Sequence, residues 1–206
     1  RNPVIEKKSV NNIMIALYAF VVISFFITIV DIIIRFPLQS EMIDYNDIQA
    51  IVINVLALLI QIVFFAYGFV NAIRGMLSPK RMGAVIVAFF AATCITGTGN
   101  MVINSNVQIV LWWIVLIIPN IVGAVATFAY FVSGKKSKIY SIIIYLAAIC
   151  GMFRIIYSNY NLIVHANQYL SMNSTVRLVL GIAIHCLVIY QTYVLWIKRQ
   201  NAIDIS

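Results

Sequence analysis

Between Asp47 and Arg74 the chain runs for 26 residues without a single charged side chain. A helix of that length reaches about 39 Å at ~1.5 Å per residue, enough to cross a hydrocarbon core of ~30 Å with some tilt. Its less apolar positions are ordered. Asn54, Ala57, Gln61, Phe64, Gly68 and Asn71 follow at spacings of 3, 4, 3, 4 and 3. On a helix that spacing makes one narrow seam of amide, small and aromatic groups. Lipid can solvate the Ile, Val, Leu and Phe around it but not the amides, so the seam is expected to face other helices.

Charge content gives the class the same footing. Only 10% of the 206 residues are charged and 63% are hydrophobic, with mean hydropathy +1.00. A water-facing domain carries roughly 25% charged residues. The predicted fold class is therefore all-α, a polytopic transmembrane bundle of about six spanning helices in one domain over residues 1–206. The spans are drawn at 12–34, 48–73, 82–103, 107–132, 139–157 and 176–197. The first apolar stretch is too long for a signal peptide and lacks a small-residue cleavage site, so it counts as a span. A start at Arg1 rather than Met gives the expectation of a trimmed start or a piece of something longer.

A net charge of +8 does not point to nucleic acid, because the basic residues alternate with the spans. Arg1, Lys7 and Lys8, then Arg74, Lys80 and Arg81, then Lys135, Lys136 and Lys138, then Lys198 and Arg199 place 11 of the 14 basic residues on one side. The alternate loops carry Glu41, Asp44 and Asp47, and then almost no charge. By the positive-inside rule both termini are cytoplasmic and the chain is integral to a cell (plasma or inner) membrane. Trp112 and Trp113, Tyr130 and Phe131, and Trp196 fall near span ends, where interfacial anchors belong. Residues 158–175 mix amides with Tyr, Leu and Ile, and are expected to lie in the interface or to fold over the bundle mouth.

Ionisable groups within spans are costly, which makes them candidates. Asp31 and Arg35, at i and i+4, close span one; Arg154 lies near the outer end of span five and Arg177 opens span six. Asp31, Arg35 and Arg154 are a candidate structural ion pair set. Alternatively, Arg154 and Arg177 line a positive vestibule for an anionic or carboxylate-bearing solute. His185 sits near the middle of span six, either satisfied by a neighbouring hydroxyl or amide, or touching a ligand. Pro119 and Asn120 interrupt span four, as an ordinary kink or as a substrate-facing break. Thr96-Gly97-Thr98-Gly99-Asn100 reads as a frayed helix end or a site-lining segment. Ser24 and Thr28 read as packing.

No enzyme signature is readable: no HExxH, no GxSxG, no paired aspartates at mid-membrane. Cys94, Cys150 and Cys186 offer neither CxxC nor ligand spacing, so no metal and no cofactor is expected. The functional expectation is a non-enzymatic transporter or solute-binding membrane subunit. Its candidate ligand-binding residues are Asn54, Gln61, Asn120, Arg154, Arg177 and His185, lining an outward-opening cavity. A sensory or regulatory module, or a structural subunit of a membrane complex, is the alternative. Expected partners are the lipid bilayer, a small solute, and a cytoplasmic or membrane protein at the basic turns from Arg74 to Met82 and from Lys135 to Lys138. In size and topology the chain is similar to the substrate-binding subunits of energy-coupling-factor importers, a likeness resting on six spans and cytoplasmic ends.

Overall fold

A backbone that crosses hydrocarbon has to satisfy its own amides, and this chain does so with helices. The computed structural model describes the backbone over residues 3–39, 45–103, 107–135, 137–165 and 168–203. Side-chain surroundings are described over 11–30, 49, 51–98, 117–135, 137–157, 175–176 and 178–200. The elements are α1 (Pro3–Gln39), α2 (Tyr45–Ile73), α3 (Pro79–Ile103), α4 (Val107–Thr127, continued by a π-helical turn Phe128–Val132), α5 (Lys138–His165) and α6 (Gln168–Ile203). Among the described residues there is no strand. The all-helical bundle expected from the sequence is what the chain forms, and its long apolar helices make it a membrane-spanning protein.

The polar side chains inside these helices follow the same rule as the backbone. Hydroxyls return to carbonyls of their own helix: Ser24 to Phe20 at 2.8 Å, Thr28 to Ser24 at 2.9 Å, Thr93 to Phe89 at 3.0 Å, Thr127 to Gly123 at 2.7 Å and Thr192 to Val188 at 2.8 Å. A donor satisfied within its own turn needs nothing from lipid or from a neighbour. Thr98 does likewise toward Cys94 at 2.8 Å, and α3 continues as helix through Thr96–Asn100 to Ile103. That stretch is neither frayed nor an unwound site-lining segment.

The helices form a closed ring in chain order, each touching the next and α6 touching α1. Across the ring, among the described residues, the backbones of α3 and α6 approach each other. They are accordingly the most buried spans, whereas α2 exposes most of its surface. Packing is set by glycines. A Cβ at Gly123 would stand 2.9 Å from Phe90 and from Ala147, and one at Gly181 would stand 2.6 Å from Ile155. Gly68 lies against Tyr18, Gly83 against Phe131 and Gly151 against His185, each too close for any side chain. Small residues at crossings are how helices associate where lipid is as apolar as the core.

Aromatic rings then tie the ring of helices together from α1 to α6. Phe65 lies 6.3 Å from Tyr18, 5.6 Å from Phe25 and 6.5 Å from Phe89; Phe89 meets His185 edge-on at 5.1 Å. Tyr130 and Phe131 belong to this interior: both are buried, so they are not the interfacial anchors expected of them. The π-helical turn swings them inward over Gly83. Trp196, half-buried, stacks on exposed Tyr193 at 6.4 Å as an interfacial ring should.

Several expectations need correction. α5 runs on to His165 and α6 begins at Gln168, so much of the expected loop 158–175 is helix in backbone. The backbone stays helical through Pro119, and the irregularity falls lower, in the π-helical turn. The side chains of Asp31, Arg35, Trp112, Trp113 and Arg177 lie outside the described residues.

Candidate functional site

Among the described residues three arginines reach into the bundle, Arg81, Arg154 and Arg199, and of these Arg154 stands out in the sequence. At the basic end α2 terminates on Gly75, whose φ of +65° is the left-handed conformation that glycine adopts freely. Gly75 and Met76 donate to the carbonyls of Ala72 and Asn71 at 3.0 and 2.9 Å, closing the helix. One nitrogen of Arg81, from the first turn of α3, donates to the Met76 carbonyl at 2.6 Å and to Asn71 Oδ1 at 2.8 Å. Asn71 Nδ2 in turn donates to the Tyr67 carbonyl at 2.7 Å.

The α4 end repeats this plan. Gly134 has φ +71°, and Lys135 donates to the Ala129 carbonyl at 3.0 Å, one residue wider because of the π-helical turn. Arg199 of α6 donates to the carbonyls of Tyr130 at 2.6 Å and Lys135 at 2.9 Å, with its guanidinium 4.2 Å above the Tyr130 ring. Both arginines thus satisfy carbonyls that a helix C-terminus leaves without amides.

Arg154 is different. It stands 16 residues above Lys138 on α5, about 24 Å at ~1.5 Å per residue. By the same measure Cys94 is about 21 Å above Lys80, His185 about 20 Å above Lys198, and Asn120 about 18 Å above Val132. The four groups occupy one layer. Arg154 is half-buried there, within electrostatic range of Cys94 of α3 and His185 of α6. Among the described residues, no carboxylate and no helix-end carbonyl is identified beside it. All six acidic residues lie at positions whose side chains fall outside the described set.

His185 is fixed by its surroundings. It is 1% exposed, and its Nδ1 lies 2.6 Å from the Gly181 carbonyl. A carbonyl only accepts, so Nδ1 carries the proton and donates. Nε2 faces Gly151, where the missing Cβ leaves room for the ring. Asn120 is buried on α4 one turn above Gly123 and Thr127, the face that meets α3 and α5; it has a partner of its own. Ala147, Gly151 and Arg154 form the corresponding stripe on α5.

Of the residues singled out from the sequence, the structure brings Arg154 and His185 near each other, and Asn120 stands at a comparable height along α4. It does not bring Asn54 there. Asn54 is exposed, and Phe64, expected in the same seam, is 36% exposed while its neighbour Phe65 is buried. The inward face of α2 is Ala57, Phe65, Gly68 and Ala72, with Gln61 half-buried beside it. Asn54 stands about 29 Å from the Ile73 end of α2, near the far interface, where water and headgroups satisfy an amide. It needs no protein neighbour. Arg177 lies outside the described residues.

Sequence reasoning missed Cys94, Gly151 and the pairing of Gln191 with Tyr18. Gln191 Nε2 donates to the Tyr18 hydroxyl between α6 and α1, both side chains fully buried, while Gln191 Oε1 has no partner among the described residues. The available signal was the amide itself, buried deep in span six. Fold and layer together define a helical membrane protein with a cationic layer in its interior. No protein-family model, curated protein or solved structure matches the chain.

Proposed function

We propose that this protein is a multi-pass plasma- or inner-membrane subunit that binds a small anionic solute at Arg154 and serves its transport or capture. Arg154 carries the reading. A guanidinium half-buried in the outer part of a span is costly, and a bound carboxylate or similar planar anion would offset that cost. The arginine fork suits two parallel hydrogen bonds to such a group. Asn120 in the same layer is the nearest candidate for a further polar contact, while His185, held by Gly181 and Phe89, sets the shape of the wall.

With the basic turns cytoplasmic, the layer lies nearer the outer face, so solute would enter from outside. Exposed Arg74, Lys80, Lys135 and Lys138 leave the turns free for a cytoplasmic partner.

The test is thermal unfolding of the detergent-solubilised protein against a panel of small carboxylates and phosphates. A binder at 100 times its dissociation constant adds ~2.7 kcal/mol. Arg154→Gln should abolish that shift while the protein stays folded. A panel without any stabilisation, or a shift that survives Arg154→Gln, counts against the reading. The sensory alternative draws on one observation: α6 continues as helix past Lys198 and Arg199 to Ile203, beyond the membrane edge. A signal carried on that helix would appear as altered protease sensitivity beyond Arg199 when solute is added.

A further inference from the structure

α1 and α5 both pack on α6 but not on each other, and the gap between them is an open groove of about 460 Å³. Leu17 stands on one wall and Tyr145 on the other; Cys186, Ile189, Tyr190 and Tyr193 of α6 make the floor. The groove follows the α6 axis from Cys186 to Tyr193, about 10 Å, and runs from near mid-membrane down toward the basic end. Its lining is almost wholly apolar.

Two features say what covers it. The floor is built of branched and aromatic side chains, whereas helices in lipid dock on small ones. A narrow channel along the membrane normal, too rough for a helix, fits a flexible hydrocarbon chain. Its lower end is cationic: Lys138 lies seven residues before Tyr145 on the same face of α5, exposed, at the end of the basic turn that begins at Lys135. The stacked pair Tyr193 and Trp196 marks the headgroup level beside it. We propose that this groove seats one acyl chain of an anionic phospholipid from the cytoplasmic leaflet, with the headgroup phosphate on Lys138.

A phosphatidylglycerol carrying a photoreactive group in its acyl chain, incorporated at low fraction in phosphatidylcholine vesicles with the unaltered protein, reads this directly. Label should concentrate on α6 between Cys186 and Tyr193, several-fold above the more exposed apolar face of α2 at Val52, Leu56, Leu59 and Val63. Label spread evenly over both faces overturns the proposal. Native mass spectrometry after extraction from mixed phosphatidylglycerol and phosphatidylcholine vesicles supplies the second reading. One retained phosphatidylglycerol, enriched several-fold over the bulk mixture, is expected. Lys138→Gln should remove the enrichment, and Ile189→Trp, which fills the floor, should remove the lipid. Retention without headgroup preference, or a dimer that Ile189→Trp dissociates, rejects it. Because the photolabelling needs no substitution, it decides the matter even where Ile189→Trp does not fold. Cys186 at the upper end of the groove is exposed whereas His185 beside it is buried, and Lys138 lies about 24 Å below Arg154 along α5, so either proposal can fail alone.

Discussion

The basic end of the bundle and its interior layer treat an arginine in opposite ways. At the basic end, Arg81 and Arg199 are held by backbone carbonyls at helix termini, and each closes a turn that a left-handed glycine has already shaped. In the layer, the described side chains within electrostatic range of Arg154 are Cys94 and His185, and neither is a carboxylate. The first two arginines finish local structure, and their removal exposes unsatisfied carbonyls. The third finishes nothing among the described residues. A cation in a span is a candidate site by its cost, and the contrast between the two regions among the described residues is what motivates the proposed reading of the layer.

That contrast can be broken in order of expected effect. The largest belongs to close packing in the layer. Gly151→Val drives a branched side chain into the His185 ring and should cost about 3 kcal/mol, the upper range for overpacking. Reversible unfolding in mixed detergent micelles measures it, and a loss under ~1 kcal/mol would mean that α5 and α6 can part easily. Next comes Arg199→Ala, which strips two carbonyls and the Tyr130 face of their partner. A loss of about 1–2 kcal/mol is expected, discounted for the solvent that reaches the turn. Gly75→Ala and Gly134→Ala should each cost about 1 kcal/mol, since alanine resists positive φ. Smallest is the pairing across α1 and α6. Tyr18→Phe and Gln191→Leu should each cost about 1 kcal/mol, and the double variant less than their sum, because each single change leaves the other group buried alone.

The sequence made the six helices legible because a charge-free run of more than twenty residues has few other fates, and the basic clusters punctuate those runs. It also marked Asn120, Arg154 and His185, since polar groups stand out against Ile and Leu. What it hid was neighbourhood. Asn54 and Asn71 look alike in a periodic seam, but one reaches an interface and the other a helix end with Arg81. Ser158 onward looked like a loop because amides interrupt the apolar pattern, yet both α5 and α6 continue as helices past the hydrocarbon. The importance of Gly151 was invisible for the opposite reason: a glycine among apolar residues signals close approach but not what approaches. The inward turn of Tyr130 and Phe131 depends on a π-helical turn that no local signal announces.

On the proposed function Arg154 serves a ligand and not the fold, and one comparison tests that most directly: the unfolding free energy of Arg154→Gln beside that of Arg81→Gln, both without added solute. Arg81→Gln should lose about 1–2 kcal/mol with its carbonyl and amide contacts, whereas on the proposed function Arg154→Gln should be as stable as the parent or more so, because a costly charge has left the span. An Arg154→Gln protein as weakened as Arg81→Gln would mean that Arg154 holds a structural partner, and the layer would then be packing rather than a binding site.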